Sequence, residues 1–202
     1  LNEANKVLVN QLSSTLLTIA SDVKIQLEFN PAVVSEYRLV GYENRQLRRE
    51  DFNNDKIDAG EIGAGHTVTA LYEITLAGSG SERIDPLSYG GTHKTKSNHG
   101  NELALLRLRY KQPDSDTSQL IEAPVYRKSI KTGLEQTTEA YRFAAAVAGF
   151  GQQLRGGEYL EGFNYESVLQ LARGSRGSDA NGYRGEFIQL VQLAQSVDST
   201  TR

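Results

Sequence analysis

The chain has 202 residues, 38% hydrophobic and 23% charged, with a formal net charge of -3, no cysteine and no methionine. That composition excludes a disulfide framework and any thiolate metal or redox site, and it gives no basis for holding nucleic acid, which needs clustered Lys and Arg. The densest basic cluster, "RQLRRE" (Arg45 to Glu50), sits among Glu43, Glu50 and Asp51, and the longest apolar runs fall far short of the roughly 20 residues that span a bilayer.

The chain opens on "LNEANKVLVNQL", with neither an initiator methionine nor a signal sequence. This predicts a piece of a longer protein, with any targeting signal upstream. Asn5 to Ile19 carries Val7, Leu8, Leu12, Leu16, Leu17 and Ile19 at helical spacing, which predicts an amphipathic helix within a terminal segment 1–21. From Val23 the period changes. "VKIQLEF" (Val23 to Phe29) alternates apolar and polar residues as a half-buried strand does, and "NPA" (Asn30 to Ala32) stops it. "SEYRLVGYE" (Ser35 to Glu43) predicts a second strand.

"HTVTALYEITLAG" (His66 to Gly78) predicts a third strand, and "ELALLRLRYKQP" (Glu102 to Pro113) a fourth, with Leu106, Leu108 and Tyr110 opposite Arg107, Arg109 and Lys111. "APVYRKSI" (Ala123 to Ile130) adds an edge strand. Four antiparallel strands with one wet face each make half a sandwich. The polar stretch 78–101 is too long for a hairpin and lacks apolar anchors, the composition of a mobile loop.

After Thr137 the periodicity is helical. Phe143, Val147, Phe150 and Leu154 share a face until "RGG" (Arg155 to Gly157) supplies a left-handed cap. "YESVLQLARG" (Tyr165 to Gly174) is a shorter helix, and "NGYRGEFIQLVQLAQSV" (Asn181 to Val197) a longer one. The fold class is therefore α+β. A β-sandwich-like unit, 22–136, precedes a helical hairpin or three-helix unit, 137–202, packed against it.

The stretch "DFNNDKIDAGEIGAGH" (Asp51 to His66) has the most suggestive chemistry. Asp51, Asn53 and Asp55 fill positions one, three and five of a calcium loop, and Asp58 and Glu61 add two carboxylates. Lys56 stands at position six, where such loops need glycine, and Ile62 at twelve, where they need a bidentate glutamate. Two readings follow: a calcium site of Asp51, Asn53, Asp55, Asp58 and Glu61, or a polar Asx-type turn between strands. "GEIGAGH" (Gly60 to His66) feeds a strand rather than a helix, so its glycines fit a sheet corner better than a phosphate loop. His66, His93 and His99 lie at spacings that make no helical metal pair. No nucleophile elbow appears, and Glu158 and Glu161 flank a glycine-rich turn. No catalytic residue and no cofactor site is expected.

Five phrases in order, "VKIQLEFNPAVVSEYRLVGYENR", "DAGEIGAGHTVTALYEI", "LRYKQP", "FAAAVAGFGQQLRG" and "GYRGEFIQLVQLA", together resemble the C-terminal region of bacterial von Willebrand factor type A domain proteins. The resemblance covers nearly the whole chain. It implies an exported protein of the periplasm or cell envelope, often lipid-anchored, whose metal-binding domain precedes an uncharacterised one. The family's D-x-S-x-S metal motif is absent: "DSDTS" (Asp114 to Ser118) has Asp116 where the first serine belongs. By resemblance the adhesion site lies upstream, and the segment 1–21 fits the last helix of that upstream domain. The expected role is a non-enzymatic accessory module with the upstream domain and an unidentified protein as partners, the alternative being a calcium-responsive module.

Overall fold

The computed structural model describes residues 17–41, 49–57, 59–84 and 100–201. Among these residues six strands come first: β1 (Thr18–Phe29), β2 (Val34–Val40), β3 (Gly60–Gly63), β4 (Leu71–Leu76), β5 (Glu102–Lys111) and β6 (Ser118–Tyr126). Three helices follow: α1 (Glu139–Leu154), α2 (Tyr165–Gly174) and α3 (Tyr183–Thr201). The strands form a four-stranded antiparallel sheet in the order β3-β1-β5-β6 and a two-stranded sheet of β2 and β4. The α+β expectation holds, with three helices. The chain divides into two compact units, Leu1–Arg38 with Glu43–Ser129, and Leu39–Tyr42 with Ile130–Arg202.

In the first unit, β1 and β2 are joined by an Asx turn at Asn30. Its side-chain oxygen accepts from Ala32 N at 3.1 Å, its carbonyl accepts from Val34 N at 2.8 Å, and its amide donates to Glu102 O at 2.9 Å. An asparagine side chain that bonds the backbone two residues on mimics a backbone turn and so redirects the chain here. The turn sets Val33 and Val34 against Leu103, with Phe29, Ile74 and Leu76 around them. Phe29 stands 4.5 Å from the Tyr37 ring and 5.5 Å from that of Tyr72. The two sheets therefore meet at the Phe29 end of β1.

Several expected boundaries shift. Of the helix expected over Asn5 to Ile19, residues 5–16 lie outside the described set, and Thr18 and Ile19 are strand. β1 thus starts five residues before Val23. It carries a bulge: Ser21 pairs with Lys111 and Lys24 with Arg109, so two residues on β1, Asp22 and Val23, oppose one on β5, Tyr110, and Asp22 has φ of 50°. The extra residue reverses which face each side chain takes, so the alternation from Val23 onward does not extend back to Thr18. β4 is shorter than its apolar-polar alternation, and β6 begins at Ser118 rather than Ala123, ending in a 3-10 turn at Arg127–Ser129. Most of the 78–101 stretch, residues 85–99, lies outside the described residues.

In the second unit the sequence signals for helix ends are realised. Thr138 caps α1 by accepting from Tyr141 N at 3.2 Å, and Asn164 caps α2 by accepting from Ser167 N at 3.1 Å, each satisfying an amide that the helix leaves open. At the other end of α1, Gly156 N donates to Gln153 O and Gly157 N to Gln152 O, with φ of 102° and 70°. This is the double bond of a Schellman cap. Ahead of α3, the Asp179 carboxylate accepts from Arg184 N at 3.0 Å and Gly185 N at 2.8 Å. These amides, then Arg176, hold its carboxyl below the ordinary value. The core is Ala146, Phe150, Val168, Leu169, Ala172 and Val191, with Phe187 edge-on to Phe143 and Phe150. Burial of Val168 and Leu169 alone contributes about 2 kcal/mol each.

Candidate functional site

The four-stranded sheet has two faces, and the register assigns them. Lys24 pairs with Arg109, Gln26 with Arg107, and Arg107 with Glu122. These side chains share one face with Glu28, Lys111 and Ser118. On the other, Ile25, Leu108 and Ile121 form one cross-strand row, Leu27, Leu106 and Ala123 the next, and Phe29, Ala104 and Val125 a third.

The charged face is covered around Lys24, Arg109 and Lys111, while Glu28, Leu120 and Glu122 on the same face are exposed. Lys24 is only 3% exposed and Phe52 only 4%, because the 3-10 turn Arg49–Asn53 and the residues after it lie across this face. Lys24 Nζ donates to Asn54 O at 2.5 Å, and Lys111 Nζ to Asp55 O at 3.0 Å. Arg109 donates to Asn53 Oδ1 at 3.3 Å and Ser118 Oγ at 2.7 Å, and stands 3.9 Å from Asp55 Oδ1 and 5.8 Å from the Phe52 ring. Lys111 also pairs with Asp22 at 2.6 Å. A buried ammonium needs its donors engaged. Here the loop's carbonyls and carboxylates engage three cations at once.

The candidate calcium ligands fall within this arrangement. Asn54 Oδ1 accepts from Lys56 N at 3.1 Å, closing the Asx turn that the sequence offered as one of two readings. Asn53 and Asp55 face Arg109. Hydrogen bonding to Ser118 outweighs desolvation and, with the nearby charges of Arg109 and Lys111, holds the Asp55 carboxyl below its ordinary value. Asp51 lies in the 3-10 turn, Glu61 is exposed on β3, and Asp58 lies outside the described residues. Among the described residues, no group of three or more His, Asp or Glu side chains could hold a metal. His66 is exposed, while His93 and His99 fall outside the described set.

The apolar face is the open one. Ile25 is 53% exposed and Ile121 49%, while the third row is covered at Phe29 and Ala104, where the small sheet meets it. Alternation in the sequence supplied the two sets of side chains but does not say which of them a chain segment covers. The missing signal is charge complementarity between the acidic and amide loop and the cations of β1 and β5. Lys24 and Phe52, both central to that contact, carry no motif of their own.

Over residues 14–197 the chain matches the family described as the C-terminal domain of the uncharacterized protein YfbK. It is similar to the uncharacterized protein YfbK of Escherichia coli (strain K12), 48% identical over 198 residues, which is 98% of this chain and 33% of that relative. The chain therefore spans about a third of the length of the curated relative it matches. No solved structure matches it.

Proposed function

The chain belongs to the YfbK C-terminal domain family, and from that premise we propose that it is a non-enzymatic accessory and interaction module of a longer, exported von Willebrand factor type A protein. The observation that carries this is the open apolar face of the four-stranded sheet, with Ile25 and Ile121 half-exposed in register across three strands. Three strands about 4.8 Å apart and two open rows about 7 Å apart make a patch of roughly 200 Å². Separate proteins that associate stably bury about 800 Å² each. A patch of this size suits a neighbour on the same chain, where tethering supplies the effective concentration that contact area lacks. The preceding von Willebrand domain is that neighbour, and a protein partner would extend the contact from the same face.

A non-enzymatic role is supported by how the charged groups are engaged. Arg107 joins Glu28 at 2.8 Å and Glu122 at 2.9 Å, Lys111 joins Asp22, and Lys24 and Arg109 hold the 49–57 segment. The periplasmic or envelope location, with a lipid anchor upstream, rests on the family resemblance. The calcium-responsive reading is not favoured: a dication would enter beside three fixed positive charges, whose repulsion grows as the site is desolvated.

Calorimetry of the longer protein, of its upstream part alone and of this chain alone tests the proposal. Buttressing predicts that the upstream part melts at a lower temperature when separated. Identical melting in both contexts would remove it.

A further inference from the structure

The helical unit holds a cleft of about 360 Å³ lined by Leu134, Arg142, Phe163, Ser167, Gln170 and Leu171, with Gly174 at its edge. A volume in the range of small-ligand sites, mostly apolar walls and a few convergent polar groups are the usual features of such a site. Two of its parts are held in place by the fold. Arg142 Nη1 donates to the carbonyl of Thr137 and, at 3.5 Å, to that of Leu134, which fixes the guanidinium at the cleft. Its Nε and Nη2 meet no acceptor among the described residues. Phe163 is seated against Gly149, where a Cβ would lie 2.4 Å from the ring. Only glycine leaves the ring that position.

A guanidinium anchored through one nitrogen presents the Nε and Nη2 donors as a fork, and a fork of two parallel N–H groups matches a carboxylate. Phe163, Leu134 and Leu171 beside it match an apolar group attached to that carboxylate, and the Gln170 amide adds a polar contact at the rim. We propose that this cleft binds a carboxylate carried on a single apolar group, with the carboxylate on Arg142 and the apolar group between Phe163, Leu134 and Leu171. A free organic acid and the last residue of a peptide both present this chemistry. The proposal is independent of the interaction role of the sheet.

The test is an NMR titration of the whole chain with 3-phenylpropionate, its neutral amide, the tripeptide Gly-Gly-Phe and that peptide's C-terminal amide. The acid is expected to bind with a Kd on the order of 1 mM, the affinity of a ligand of about ten heavy atoms in an open cleft. Shifts should centre on Leu134, Arg142, Phe163 and Ser167 to Gly174, and the amide should bind about tenfold or more weaker. Arg142→Gln should match that loss and Arg142→Lys should recover part of it. Because Arg142 also holds the turn before α1, a second variant leaves it in place. Gly174→Leu projects a side chain where a Cβ meets nothing within 4 Å, and should block the cleft without lowering the melting temperature. Gly-Gly-Phe binding more tightly than the free acid identifies a chain terminus as the source, and the reverse identifies a small acid. Equal binding of acid and amide, binding unchanged in Arg142→Gln or Gly174→Leu, or no shift at several times the expected Kd overturns the proposal.

Discussion

The two faces of the four-stranded sheet reverse the usual arrangement. On one face the end bearing Lys24, Arg109 and Lys111 is covered by a segment of the chain, while on the other the end bearing Ile25, Leu108 and Ile121 stays open. Residue type alone does not decide which side of a sheet is dry. What decides it here is which segment has complementary chemistry. The loop around Asn53 to Asp55 is rich in oxygens and finds the cations, and among the described residues the apolar cover from β2 and β4 lies at the Phe29 row.

If the charged face is a true interior, deleting its apolar centre should be costly. Phe52→Ala is expected to lower the unfolding free energy by about 3 kcal/mol in urea denaturation, the order found for buried aromatic truncations. A loss below about 1 kcal/mol would mean that the loop only rests on the sheet. Lys24→Met keeps the buried stem but removes the donor to Asn54 O, and is expected to cost about 1–2 kcal/mol, the penalty of an unsatisfied buried acceptor.

The pH dependence sharpens the same contrast. Asp55 is held below its ordinary carboxyl value, foremost by Ser118, so its contribution is present above the unfolded value of about 3.9 and is lost as pH falls through that value toward the folded one. Lys111 is raised, first by its hydrogen bond to Asp22, so its contribution is present below about 10.4 and is lost as pH rises through its folded value. Amide exchange of the 49–57 segment, corrected for the intrinsic rate, should therefore be slowest between about pH 5 and 10 and accelerate below about pH 4. Exchange in the Leu27 and Leu106 row should not follow it. Millimolar calcium should leave both the exchange pattern and the melting temperature unchanged, since Arg109 and Lys111 already engage the loop.

How much of this was legible in the sequence depends on the range of the interactions. α2 runs from Tyr165 to Gly174 as its periodicity indicated, because an Asn cap and a terminal glycine act within one turn. The end of α1 was legible for the same reason. The start of β1 was not: the bulge at Asp22 breaks the alternation, and Ile19, which the spacing assigned to a helix, lies on the strand. The acid-rich loop was recognised as a possible ligand set, but its contacts lie 30 residues away at Lys24 and 56 away at Arg109 and Lys111. No local pattern records them.

On the open face, Ile25→Ser should change the stability of the isolated chain by less than about 0.5 kcal/mol, the usual range for an exposed position. The most direct test of the interaction role follows from that small effect. In the longer protein, the double variant Ile25→Glu, Ile121→Glu should lower the melting temperature of the upstream part to the value it has alone, while this domain's own transition stays in place. An upstream part that melts unchanged in the double variant would contradict the assignment of this face as its contact surface.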